Sequence, residues 1–229
     1  MSEYGYINEN YIAISDEIRT LANEAGHDIT LVAVTKSGSD DELLALAAAG
    51  VTDIGENRPG ELRRRGDLLR ERGYTPCLHE IGNLQRNKVK LIVESVSLIH
   101  SLDTVELARE INKQASRLSR RIPVLIEINS AREPQKGGVL PEDAESFLLA
   151  VRELEFIEVV GLMTMGPVSE DAELLRPYFR LTKELFDSLN EKYGFRDGGI
   201  LSMGMSDSYR VAIEEGATLV RIGRKFFNK

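Results

Sequence analysis

Apolar positions in this chain recur with two different periods. Over residues 5–25 they fall at Tyr11, Ile12, Ile14, Ile18, Leu21 and Ala22, which is helical spacing, and Gly26 stops that helix. Beyond it, short β-rich runs alternate with longer amphipathic stretches. The short runs are Leu31–Val34, Val51–Ile54, Leu78–Ile81, Leu98–Ile99, Ile122–Ile128, Ile157–Met165, Ile200–Met205 and Leu219–Ile222. Helical patterning lies between them, near 40–49, 59–72, 85–95, 104–120, 141–153, 171–193 and 207–215.

Local punctuation agrees with this order. Asp40 or Asp41, Asp103 or Thr104, and Ser206 or Asp207 stand where helix N-caps belong, and glycines at 50, 73, 194 and 216 stand where helices end. Strand units separated by helices predict parallel pairing, and eight of them close a (β/α)8 barrel. An open doubly wound sheet would carry a Gly-rich turn after its first strand; here that strand runs Ala33-Val34-Thr35-Lys36-Ser37, with no GxGxxG or GxxxxGK[ST] motif anywhere. The expected organisation is one domain over 1–229: an N-terminal helix (1–26), a barrel (28–223) and a tail (224–229). The longest irregular stretch, Asn129–Pro141, follows the fifth strand, where barrels carry functional loops.

Composition narrows the classes. Hydrophobic residues make up 42 % and charged residues 29 % of the 229, ordinary for a soluble globular domain. The net charge of −8 argues against nucleic acid, and the basic run Arg63-Arg64-Arg65 is interleaved with Glu61, Asp67 and Glu71, as on a solvated helix face. Cys77 is the single cysteine, so neither an intramolecular disulfide nor a cysteine metal cluster is available. An acidic start without an apolar signal core, and no apolar run near the roughly 20 residues of a membrane span, predict a cytoplasmic protein.

In a barrel, chemistry gathers at the C-terminal ends of the strands. Those ends read Lys36, Glu56-Asn57, Gly82-Asn83, His100-Ser101, Asn129-Ser130, Thr164-Met165-Gly166, Ser202-Met203-Gly204-Met205-Ser206 and Arg221-Ile222-Gly223. The last two resemble a phosphate cradle, with small residues for close backbone approach and a helix opening at Ser206-Asp207. Ser206-Asp207 is equally compatible with an ordinary N-cap. Lys36 ends a run of five apolar or β-branched residues, so its amine should reach the barrel mouth, where burial would favour the neutral nucleophile; a strand-end lysine snorkelling to water is the alternative. His79, Glu80 and His100 lack metal-site spacing, and no G-x-S-x-G elbow supports a serine triad.

The segments LVAVTK (31–36), DIGEN (53–57), LHEIGNLQRNK (78–88), LIHSLD (98–103), VLIEIN (124–129), GLM (161–163), LSMGMSDSY (201–209) and AIEEGATLVRIG (212–223) resemble the pyridoxal phosphate homeostasis proteins in order and spacing. That resemblance implies a barrel like the N-terminal domain of alanine racemase, with pyridoxal 5′-phosphate held as a Schiff base on Lys36. It implies Arg221 at the pyridine nitrogen, Asn57 at the ring edge or 3′-oxygen, and Ser202, Met203, Ser206, Gly223 and Arg224 around the phosphate. Two positions depart from the family pattern: Asn83 stands where histidine is usual, and Arg224 where a small residue, often threonine, is usual. Racemases of this fold add an all-β domain, whereas only Arg224–Lys229 follow Gly223 here. The resemblance therefore implies a monomeric carrier or buffer of the cofactor serving pyridoxal-phosphate-dependent client enzymes, with Lys136 as a candidate relay for hand-off. A weakly active amino-acid racemase, and a phosphate-binding barrel enzyme without the cofactor, are the alternatives.

Overall fold

In a computed structural model, residues 4–169 and 171–228 are described. Eight strands close a parallel barrel in chain order: β1 (Thr30–Val34), β2 (Asp53–Glu56), β3 (Cys77–Glu80), β4 (Leu98–Leu102), β5 (Ile122–Glu127), β6 (Ile157–Met163), β7 (Ile200–Ser202) and β8 (Leu219–Ile222). The seam pairs Thr30 with Leu219 through Ala33 with Ile222. The helices are α1 (Gly5–Ala25), α2 (Asp40–Ala48), α3 (Pro59–Glu71), α4 (Val89–Ile92), α5 (Val105–Ser116), α6 (Ala144–Arg152), α7 (Arg176–Tyr193), α8 (Tyr209–Glu214) and α9 (Arg224–Phe227).

Apolar side chains sort into two layers because successive strand residues point to opposite faces. Val32, Leu98, Leu125, Val160, Met163 and Leu219 fill the barrel interior. Their outward neighbours, among them Ala33, Ile54, Ile99 and Val220, join Leu43, Leu62, Ile111, Phe179 and other helix residues in a second, larger layer. Helix α1 lies outside this ring and packs on α2, α8 and α9.

The structure moves several expected boundaries. The fourth helical stretch is a 3-10 turn (Arg86–Lys88) followed by only one turn of α-helix in α4. Strand β7 stops at Ser202, well short of Met205, because Gly204 takes φ +87° and ends the pleat. A Cβ on Gly204 would lie 2.6 Å from that of Ala212, so the chain turns sharply under α8. Helix α8 begins at Tyr209, which leaves Ser206 and Asp207 in a turn outside it. Ser39, not Asp40 or Asp41, caps α2 and forms a reciprocal capping box with Glu42. The segment expected as a tail is helical over α9, with Phe226 fully buried and its carbonyl accepting from Asn10 Nδ2 at 3.1 Å.

Candidate functional site

Alternation along the strands decides which side chains meet at the barrel mouth. Val32 is interior, so Val34 and Lys36 follow it inward and upward along the same face. On β2 the inward series is Asp53, Gly55 and Asn57; a Cβ on Gly55 would fall 2.9 Å from Val32 Cγ1, inside the barrel. On β8 it is Leu219, Arg221 and Gly223. These three series converge on a cleft of about 600 Å3 at the C-terminal face, within the range of small-molecule sites. Met165, Pro167, Val168 and Met205 form its apolar rim.

Six of the eight expected residues line this cleft: Lys36, Asn57, Ser206, Arg221, Gly223 and Arg224. Ser202 and Met203 do not. Met203 falls on the outward face of the strand, is fully buried in the layer beneath the helices, and donates its N–H to Leu219 O at 3.1 Å. Ser202 points inward but lies one layer below the mouth, and its Oγ accepts from Arg221 Nη1. Of the two departures from the family pattern, Arg224 pairs with exposed Asp207. Exposed Asn83 is not among the residues that line the cleft, and its Nδ2 lies 3.7 Å from a Cβ built on Gly137.

Lys36 is exposed, without the burial expected for a desolvated amine. Its position is fixed from below. Arg65 of α3 turns inward and donates Nη1 to Thr35 O and Nη2 to Gly38 O (2.6 Å), spanning the turn that carries Lys36. The same guanidinium donates to Glu56 Oε1 at 2.9 Å, which also accepts from the Thr35 hydroxyl at 2.5 Å. Burial pushes the Glu56 carboxyl upward, more than Thr35 and Arg65 draw it down. Sequence reading assigned Arg65 to a solvated basic run and so missed this role. No local pattern separates it from its neighbours; only the fold buries Arg65 while Arg63 and Arg64 stay exposed.

Arg221 is held from two sides, by Ser202 Oγ and by Thr164 O at 3.3 Å. Burial draws its guanidinium down to about 10, with Glu127 working the other way. Below it a hydrogen-bonded series crosses the interior: Ser202 Oγ to His100 Nδ1 (3.0 Å), His100 Nε2 to His79 Nδ1 (2.9 Å), and His79 Nε2 to Asp53 Oδ1 (2.9 Å). Burial, with His79 and Arg221 beside it, drives His100 far toward its neutral form. Among the described residues no group of His, Cys, Asp and Glu is arranged to hold a metal ion.

One corner of the cleft is shaped by Ser206 and Gly223. Ser206 Oγ accepts from the Gly223 N–H at 3.2 Å, tying the β7 turn to β8. A Cβ on Gly223 would approach Val34 O to 3.0 Å, so a glycine keeps this wall low. Cations outnumber acids at the lining, with Lys36, Lys136, Arg221 and Arg224 against Asp207. Lys136 is paired with Glu133 and donates to Gly166 O at 3.1 Å, while Lys36 makes no ion pair among the described residues. A primary amine, a buried guanidinium and a glycine-lined polar corner suit an anionic aldehyde such as pyridoxal 5′-phosphate.

Comparison with known proteins gives a consistent family. The model of the alanine racemase N-terminal domain matches residues 10–227. A pyridoxal phosphate homeostasis protein of Aquifex aeolicus is 41% identical over 199 residues, 87% of this chain and 86% of that protein. An uncharacterised protein from Bifidobacterium adolescentis, solved by crystallography, superposes with a TM-score of 0.88 at 31% identity over 98% of this chain and 95% of its own. PipY of Synechococcus elongatus, solved with pyridoxal phosphate bound, superposes with a TM-score of 0.83 at 26% identity, covering 97% of this chain and all (100%) of that one. Among the described residues no helix is long and apolar enough to cross a membrane. A closed eight-stranded barrel with a lysine just past β1 and an arginine from the neighbouring β8 in one cleft is thus the frame of a chain that belongs to the alanine racemase N-terminal domain family and, within it, to the pyridoxal phosphate homeostasis proteins.

Proposed function

We propose that this chain binds pyridoxal 5′-phosphate in the barrel-mouth cleft, held as a Schiff base on Lys36, and that it carries or buffers the cofactor rather than turning over a substrate. The observation that carries this reading is the convergence of Lys36, Arg221 and the Ser206–Gly223 corner on one cleft. The cofactor, where bound, supplies an electrophilic aldehyde and an electron-withdrawing ring. The chain's own groups do the rest. Arg65 holds the Lys36 turn through two backbone carbonyls. Asn57 and Arg221 would meet the ring from the two strands that flank β1, and a cation at the pyridine nitrogen would weaken the ring as an electron sink. Gly223, Ser206 and Arg224 take the phosphate. Cytoplasmic residence, action as a monomer and delivery to pyridoxal-phosphate-dependent client enzymes belong to the same proposal, with Lys136 at the opposite wall as the relay for hand-off.

An absorbance spectrum tests it. Purified protein saturated with pyridoxal phosphate is expected to show a visible imine band that borohydride bleaches, and Lys36→Ala is expected to lose the band while keeping its far-UV circular dichroism. A saturated wild-type protein without the band sinks the assignment. Exchange of the Cα proton of L- or D-alanine at roughly 1 s⁻¹ or faster, abolished by Lys36→Ala, would replace the carrier reading with a racemase.

A further inference from the structure

The interior of a barrel is expected to be apolar, and above Leu98, Leu125 and Leu219 this one instead holds two histidines in direct contact. Both are buried, His79 at 4% and His100 at 0% exposure. They are the middle of a series that begins at the cleft with Arg221 and ends at Asp53, near the opposite face of the barrel. Asp53 lines a second opening of about 430 Å3 between α1 and the starts of β1 and β2. The series therefore connects the two faces.

Donor bookkeeping leaves it little freedom. Arg221 has only donors, so Ser202 Oγ accepts from it and has one O–H to give. At the far end Asp53 accepts from Thr52 Oγ1 at 2.7 Å and from His79 Nε2. Burial works against the Asp53 carboxylate, but those two hydrogen bonds outweigh it and hold it below the usual range. With His79 neutral, its one proton sits on Nε2 facing Asp53, and its Nδ1 must accept. His100 then donates from Nε2 and accepts at Nδ1, and the acceptor at Nδ1 takes the Ser202 hydroxyl proton. Every donor points the same way, from Arg221 to Asp53.

Adding one proton reverses the central links. The His100 Nε2 proton passes to His79 Nδ1, the Ser202 proton passes to His100 Nδ1, and the incoming proton completes the Ser202 hydroxyl. His79 becomes an imidazolium beside Asp53, His100 stays neutral in its other tautomer, and Ser202 Oγ now accepts from two donors at once. A hydroxyl oxygen shared between His100 and Arg221 holds the guanidinium less firmly than one committed to Arg221.

We propose that Ser202, His100, His79 and Asp53 form a single positioning relay for Arg221, in which the protonation of the His79–Asp53 pair sets the tautomer of His100 and thereby how firmly Arg221 is held at the cleft. The relay rests on the cofactor reading only for its consequence, not for its existence. The groups that face it are few. His79 meets Asp53 from β2 and His100 from β4; Cys77 stands beside Asp53 across the β2–β3 pairing, and Arg19 and Asp28 share its opening. His100 meets Arg221, which in turn feels Glu127.

The experiment uses the full chain with and without pyridoxal phosphate. The chain has 3 histidines, so imidazole nitrogen spectra of the cofactor-free protein resolve them, with His27 as a reference outside the series. On acidification, His100 is expected to change from the Nε2–H to the Nδ1–H tautomer as the series takes up a proton. Asp53→Asn removes the charge at the end of the series, so the Nδ1–H tautomer of His100 should become about tenfold rarer at a given pH. In the loaded protein, the pH profile of pyridoxal phosphate dissociation should shift by the same factor. His79→Gln, which keeps a bridging amide but cannot carry the proton, should retain the imine band and lose the part of the profile that Asp53→Asn shifts. His100 keeping one tautomer throughout that acidification overturns the relay, as does an unshifted dissociation profile in Asp53→Asn. A wild-type protein without an imine band sinks the cofactor reading instead, and leaves the tautomer measurement to decide the relay.

Discussion

Replacing Arg65 with methionine is expected to separate the positioning of Lys36 from the stability of the fold. The wild-type guanidinium satisfies three acceptors on two elements: Thr35 O, Gly38 O and Glu56 Oε1. Both members of the ion pair are buried, with side-chain exposures of 8% and 2%. Methionine fills much of the same volume but leaves the Glu56 charge without its partner, and breaking a buried pair from one side costs about 3–5 kcal/mol. At about 2–4 °C per kcal/mol for a domain of this size, the melting temperature should fall by roughly 6–20 °C. Most of that penalty comes from the stranded carboxylate. Adding Glu56→Gln should therefore restore most of the stability, since a neutral amide still accepts from the Thr35 hydroxyl. Cofactor retention should not recover, because Thr35 O and Gly38 O remain unclamped and the turn bearing Lys36 stays loose. The assays are thermal unfolding and the rate at which a scavenging aldehyde reagent bleaches the imine band. Arg65→Met binding the cofactor as tightly as wild type, or the double variant regaining retention along with stability, would refute the clamp.

Two further perturbations follow from the same geometry. Burial pushes Glu80 up to about 8, and its Oε2 has no hydrogen-bond partner among the described residues. Because the folded-state value is raised, folding disfavours the ionised form, so stability is fully present below the ordinary value of 4.5 and is lost as pH rises toward 8. At 1.36 kcal/mol per unit the loss is about 5 kcal/mol at most, and Glu80→Gln should flatten urea-unfolding stability between pH 5 and about 8; parallel profiles for the two proteins contradict the argument. A Cβ at Gly82 would lie 2.2 Å from Asn57 O, a backbone atom that cannot swing aside, so Gly82→Ala should displace the end of β2, cost about 1–3 kcal/mol or more and weaken cofactor binding. Unchanged melting and affinity in that variant would show that the β2 end yields freely.

What the sequence determined by itself is the periodic part of the protein. Strand and helix alternation depends on neighbours two or four residues apart, so the eight β units, the N-terminal helix and the barrel class were legible in Leu31–Val34 through Leu219–Ile222. Strand ends carry chemistry in any barrel, which brings Lys36, Asn57, Ser206, Arg221 and Gly223 forward from the sequence alone. Exact ends were less legible, because Gly204 stops β7 through a close approach to Ala212 that no local pattern encodes. Only the tertiary structure decided facing. A run such as Leu201-Ser202-Met203-Gly204 does not say which parity is inward; pairing with β6 and β8 puts Ser202 inside and Met203 outside, so neither reaches the cleft. Only it brought together Arg65 with Thr35 and Gly38, or Asp53 with His79, His100 and Ser202, which stand on four different strands. A buried polar group must find its partner somewhere, but the partner's place in the sequence is set by closure of the barrel, and closure is a property of all eight strands at once.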